Sequence, residues 1–231
     1  MIRDVSLRCD PIVENIRFDG EADATTSDRL KTLFEEDQRF ASEPVDWTDP
    51  ECLLSQLGPD FIKQAEEEAR QRRVEVLNLL QGGKITRAPD LYHAAMIYQH
   101  GTCADHFKLA NELAERSMNS GYAPARWLYA ASRDRYLLAI GRPQQFGTQL
   151  HWDKFRQWYM PALDFRTTDE ERAKYDVPPI AELWQRVRNF SKGKENIRNK
   201  GQRLYYEWRA WLSTRIWITR NWMLFGWRSK F

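Results

Sequence analysis

From Asp28 to Phe190, apolar side chains recur three and four residues apart, and most such runs close at a glycine or proline. That period marks one face of an α-helix, whereas a half-buried strand alternates every second residue. No convincing alternating run occurs, so the chain is expected to be all-α. The spacing predicts helices over about Asp28–Ala41 and Pro59–Leu80, the second stopped by Gly82-Gly83. Pro89 suits the first turn of a third helix, which carries YHAAMIYQH and ends at Gly101. Thr102 with Asp105 reads as a capping box for a fourth, ending before Gly121. Pro124 opens a fifth that stops at Gly141, and Thr168 with Glu171 caps another. Ile180–Phe190 and about Gln202–Trp227 complete the set.

Charge divides the chain more sharply than its net value of +2 suggests. Arg186 to Phe231 holds twelve Lys/Arg against two Glu, +10, while the remainder has 23 basic and 31 acidic residues, −8. Five of the ten tryptophans fall in the same basic stretch. The expected organisation is an irregular lead-in over 1–27, a compact helical domain over 28–179 with a repeat-like helical hairpin, and a basic, Trp-rich helical appendage over 180–231. Arg209, Arg215 and Arg220 interrupt that appendage, so no apolar run there is long enough to span a bilayer. Three partners suit it: protein (this domain or a second subunit), an anionic membrane surface, and nucleic acid, the last least favoured.

Met1 to Phe18 carries six charges and no apolar stretch, so no secretory leader is expected and a cytoplasmic location follows, with peripheral membrane attachment as the variant. Cys9, Cys52 and Cys103 stand far apart with no CxxC pair, which fits reduced thiols.

The chemistry-bearing residues concentrate between Asp90 and His151, a segment that holds all four histidines. Trp127, Ala130, Ala131, Asp134 and Leu138 follow the spacing of one buried helical stripe, which places a carboxylate in an apolar face. Such a group needs a partner, either a ligand or the protein's own donors. The loop GRPQQFGTQ follows, with Gln144, Gln145, Thr148 and Gln149 able to recognise a ligand or to satisfy helix ends. His93 and His100 share a helical face but lie roughly 10.5 Å apart along the axis, too far to share one metal easily. No HExxH, EF-hand or nucleotide loop is present, so no metal and no cofactor are expected. Ser132 and Cys103 are the nearest nucleophiles, without an elbow or triad around them.

The strings AAMIYQHG and DRYLLAIGRPQQFGTQ, with DEERAKYDVPP further on, resemble a group of bacterial and fungal proteins classed as a domain of unknown function. The resemblance runs over about 37–182, with Gln99, His100, Asp134, Arg135, Gly141, Pro143, Gln144, Phe146, Gly147, Thr148 and Gln149 on its most specific positions. It implies a helical domain with a polar site. Ala94, Tyr98, Gly101, Asp105, Ala110, Ala114, Gly121 and Ala125 are also spaced much as in Sel1-like and tetratricopeptide hairpins, in one unit only.

Together these point to a metal-independent enzyme of small-molecule or peptide metabolism, biosynthesis included. Asp134 or His100 would move the proton, and His93, Gln99, Arg135, Gln144, Thr148 and Gln149 would bind the small-molecule or peptide ligand. The competing reading is a non-catalytic helical interaction module, with the segment 202–227 serving a protein partner or self-association.

Overall fold

Asp23 sets the start of the first helix: its carboxylate accepts the Thr26 amide at 2.7 Å, and α1 runs Ala24–Gln38. That start precedes the one expected from apolar spacing, because a side-chain cap fixes a helix end before the first buried residue does. The computed structural model describes residues 9–39, 50–152 and 158–191. The remaining helices are α2 (Pro50–Gln81), α3 (Ala88–Gln99), α4 (Ala104–Asn119), α5 (Ala125–Ala139), α6 (Asp169–Ala173) and α7 (Ile180–Ser191). The all-α expectation holds. One departure is a two-stranded antiparallel pair, β1 (His151–Trp152) with β2 (Trp158–Tyr159), too short for any alternation to show in the sequence. The helix expected over 202–227 lies outside the described residues, and so does its apolar face of Trp208, Trp211 and Leu212. No helix among the described residues is long and apolar enough to cross a membrane.

Two apolar clusters meet at α5. The first joins Leu30 and Leu33 of α1, Val76 and Leu80 of α2, Leu91 and Tyr98 of α3, Leu109 and Leu113 of α4, and Leu128 of α5. Ala94, Ala110 and Ala114 are fully buried in it, and side chains this small let α3 and α4 approach closely. Each large apolar side chain buried here contributes about 1.5–3 kcal/mol. The second cluster joins Ala130 of α5 to Phe146, Met160, Leu163 and Val177, and to Leu183 and Val187 of α7. Tyr129 packs against both. Residues 9–22 are irregular, yet Val13, Ile16 and Phe18 pack on the first cluster and the Arg17 amide donates to the Leu80 carbonyl at 3.0 Å.

Three local expectations change. Trp127 does not lie in the buried stripe of α5: it is 43% exposed, and Leu128 and Leu137 turn inward with Ala130, Ala131 and Asp134. Thr102 does not cap α4. Cys103 occupies the cap position, and the Thr102 amide donates instead to His106 Nδ1 at 3.2 Å. The cysteines are not all reduced, since Cys9 and Cys103 form a disulfide across 94 residues with Cα atoms 5.7 Å apart. An odd count concealed one pair.

Candidate functional site

Helix α5 presents Asp134 to the loop that follows it, and the loop folds around the carboxylate. Oδ1 accepts the Gln145 amide at 2.6 Å and the Phe146 amide at 2.9 Å. Oδ2 accepts the Thr148 amide at 2.9 Å and the Thr148 hydroxyl at 2.8 Å. The side chain is completely buried. Burial drives its carboxyl above the usual carboxylate range, opposed by the four donors. All four direct a hydrogen at the carboxyl, so a proton on either oxygen would face one of them. The ionised form is the one that this loop fits.

The amides of the loop turn inward as well. Gln144 is fully buried: its Oε1 accepts the Gln149 amide at 3.0 Å and its Nε2 donates to the Gln149 carbonyl at 3.2 Å. Its backbone bridges to the returning chain through the Ala162 carbonyl and the Asp164 amide, each at 2.8 Å. Gln149 Nε2 donates to Thr148 Oγ1 at 2.9 Å. On the far side, Arg172 of α6 is 2% exposed and donates from Nε to the Phe146 carbonyl at 3.0 Å and from Nη1 to the Thr167 carbonyl at 2.7 Å. Gly147 adopts φ +87°, and a Cβ there would meet Leu183 Cδ1 at 3.2 Å. Asp134, Gln144, Thr148 and Gln149 are thus brought together, with hydrogen bonds satisfied by the loop itself.

The residues expected on α3 belong to a different neighbourhood. His100 Nδ1 lies 2.7 Å from Asp37 Oδ2 of α1, and the buried Asp37 carboxylate also faces Arg72 of α2 at 3.6 Å. His93 stacks on Phe34 with ring centroids 4.6 Å apart, its Nδ1 buried without a hydrogen-bond partner. Burial holds the His93 imidazole below its ordinary value. Gln99 is buried and its Nε2 lies 3.2 Å from Met96 Sδ. The expected cleft therefore separates into two groups of side chains, and His100 pairs with Asp37 rather than approaching Asp134.

A pocket of about 380 Å³ opens on the outer side of the loop, lined by Arg133, Arg142 and Arg166 among others, with Gln145, Asp164 and Glu171. Arg166 is already committed to Asp164, Nη2 to Oδ2 at 2.6 Å, and Gln145 Nε2 donates to Glu171 at 3.3 Å. The Arg133 Nε is buried with no hydrogen-bond partner. Arg135, the cation expected to hold an anionic substrate, is absent from this lining. Its Nε is also buried without a partner, and burial lowers the affinity of its guanidinium for the proton. Sequence reasoning missed Arg133 and Arg142, although both flank the stripe and loop it singled out.

A third cluster was also missed. Cys9, Cys103 and His106 bring their donor atoms within 4.8 Å of one another. The signal was present in T-C-A-D-H, a Cys-x-x-His spacing, but the second cysteine comes from the far end of the chain. Comparison with known proteins adds no relative, because no family model, curated protein or solved structure matches this chain.

Proposed function

We propose that the chain is a non-catalytic helical binding module that recognises an anionic group, a carboxylate on a small molecule or peptide, in the pocket beside the 144–149 loop. The observation that carries this reading is Arg133. A guanidinium with a buried, unpartnered Nε costs free energy unless an acceptor arrives. Arg142 and Arg166 line the same space, so cationic groups outnumber Asp164 and Glu171 there. The Asp134-centred loop is the rigid wall in this reading, and its amides hold the wall rather than the ligand. The repeat-like α3–α4 hairpin agrees with a module of this kind, and the basic stretch from Arg186 to Phe231, +10 against −8 for the rest, would dock through its 202–227 segment on the acidic part of the chain.

Calorimetric titration with acetate, citrate and a short peptide ending in a free carboxylate tests it. Saturable binding should vanish in Arg133→Gln with Arg142→Gln while the melting temperature holds. Equal binding by an amidated peptide would refute it.

A second reading, an enzyme, keeps support at one place only. Asp37 orients His100 through Nδ1 and leaves Nε2 available as a base. Metabolite turnover lost in both Asp37→Asn and His100→Gln, and retained in Asp134→Asn, would favour it.

A further inference from the structure

We propose that Cys9, Cys103 and His106 form a thiol-controlled site for a soft divalent cation such as zinc, closed by the disulfide in the oxidised chain and opened by reduction. Cys9 comes from the irregular lead-in, Cys103 caps α4, and His106 lies in the first turn of α4. Their three donor atoms already lie within 4.8 Å of one another. A tetrahedral zinc site holds sulfur at about 2.3 Å and nitrogen at about 2.0 Å from the ion, so its donor atoms stand some 3–4 Å apart. The cluster needs only side-chain rotation to reach that arrangement, because the cysteine Cα atoms are 5.7 Å apart.

The imidazole is held as a metal-bound imidazole is held. His106 Nε2 lies 3.1 Å from the Pro11 carbonyl, which can only accept, so Nε2 carries the hydrogen. The Nδ1 lone pair, which accepts the Thr102 amide at 3.2 Å in the oxidised chain, is the one that would turn to the ion. The exposed Asp105, with Oδ2 3.5 Å from Cys9 Sγ, offers an oxygen as a fourth donor and gives an ion an entry path. The chemistry balances with a dithiol as reductant. It gives two electrons and two protons to the Cys9–Cys103 bond and becomes a disulfide itself. The divalent cation then displaces both thiol protons and binds two thiolates. In either state the lead-in stays fastened to α4, by a sulfur–sulfur bond or through the ion.

The test uses the full chain, oxidised or fully reduced with a phosphine under argon, titrated with cobalt(II) chloride. Only the reduced chain should develop a thiolate-to-cobalt charge-transfer band and the d–d absorption of a tetrahedral ion, saturating at one equivalent and bleached by zinc. Cys9→Ser, Cys103→Ser and His106→Asn should each lose the band, and Cys52→Ser should keep it. Helical circular dichroism recorded on every sample identifies a variant that has unfolded, and the comparison of reduced with oxidised wild type needs no variant. No band in the reduced wild type overturns the proposal. So does a disulfide that resists the phosphine in the folded chain, or a band that survives in Cys9→Ser.

Discussion

Asp134 and Arg172 grip the two ends of one residue. The Phe146 amide donates to Asp134 Oδ1 at 2.9 Å, and the Phe146 carbonyl accepts from Arg172 Nε at 3.0 Å. Both charged side chains are buried, at 0% and 2% exposure, yet the backbone of Phe146 stands between them. Its N–H points at the anion and its C=O at the cation, so both ends are satisfied by a charge. The Phe146 ring is thereby fixed in the second apolar cluster, edge-on to Tyr175 at 5.0 Å between centroids.

Removing the carboxylate should be costly. Asp134→Ala leaves three backbone amides and a hydroxyl in a closed interior without their acceptor, which costs about 3–5 kcal/mol. Asp134→Asn preserves the volume but presents an NH2 where only acceptors fit, so it should rescue little. Urea unfolding measures both. A cycle with Arg172→Met should show coupling of about 0.5–3 kcal/mol, because the two residues share Phe146. An Asp134→Ala chain within about 0.5 kcal/mol of wild type, the error of such data, would contradict this account.

Gly147 and Gly141 offer a paired comparison. Both adopt positive φ, +87° and +72°, and alanine in that region costs about 1–2 kcal/mol. At Gly141 an added Cβ meets nothing within 4 Å, whereas at Gly147 it meets Leu183, Leu163 and Met160. Gly147→Ala should therefore lower the melting temperature clearly more than Gly141→Ala. Equal shifts would mean that α7 yields freely and that the second cluster is looser than its burial indicates.

Asp37 and His100 are partners of unequal weight. The Asp37 side chain is 4% exposed and Arg72 is 8% exposed, while that of His100 is 39% exposed. Asp37→Ala leaves Arg72 buried without its counter-ion, at a cost of about 3–5 kcal/mol. His100→Ala removes a half-exposed partner and should cost about 1 kcal/mol or less. Chemical denaturation of the two variants side by side checks the asymmetry, and a reversed order would show that the imidazole anchors α1 to α3.

How much of this was legible in the sequence depended on whether the partner was local. Helical period placed Asp134 in a buried stripe, and it is buried. Its partners were not legible, because three of the four donors are backbone amides whose positions depend on the loop closing. The same period misplaced Trp127, since an apolar residue at the edge of a stripe can face either way. Pro89 and Thr168 were read correctly as helix starts because the chemistry of those signals is local. Thr102 failed as a cap because the His106 ring, a turn further on, takes its amide. Arg172 and the Cys9–Cys103 pair depend on segments 26 and 94 residues away, distances at which one sequence carries no pairing information.

His93 should make the protein sensitive to mild acid. Its ring stacks on Phe34 and its Nδ1 is buried without a partner, so burial holds it below the ordinary value of 6.5. Asp90 and Glu35 favour the charged ring and Lys31 opposes it, but burial outweighs them. Above about pH 6.5 the ring is neutral in folded and unfolded chains alike, and its contribution to stability is fully present. As pH falls through that value the unfolded chain takes up the proton first. Stability then declines until the lower folded pKa is passed. Between about pH 7.5 and pH 5 the melting temperature of wild type should therefore fall more steeply than that of His93→Phe, which keeps the stacking on Phe34 without a titrating nitrogen. Parallel curves for the two proteins would show that the His93 ring is charged at little cost in the folded state, and that its burial against α1 is not what the stacking geometry implies.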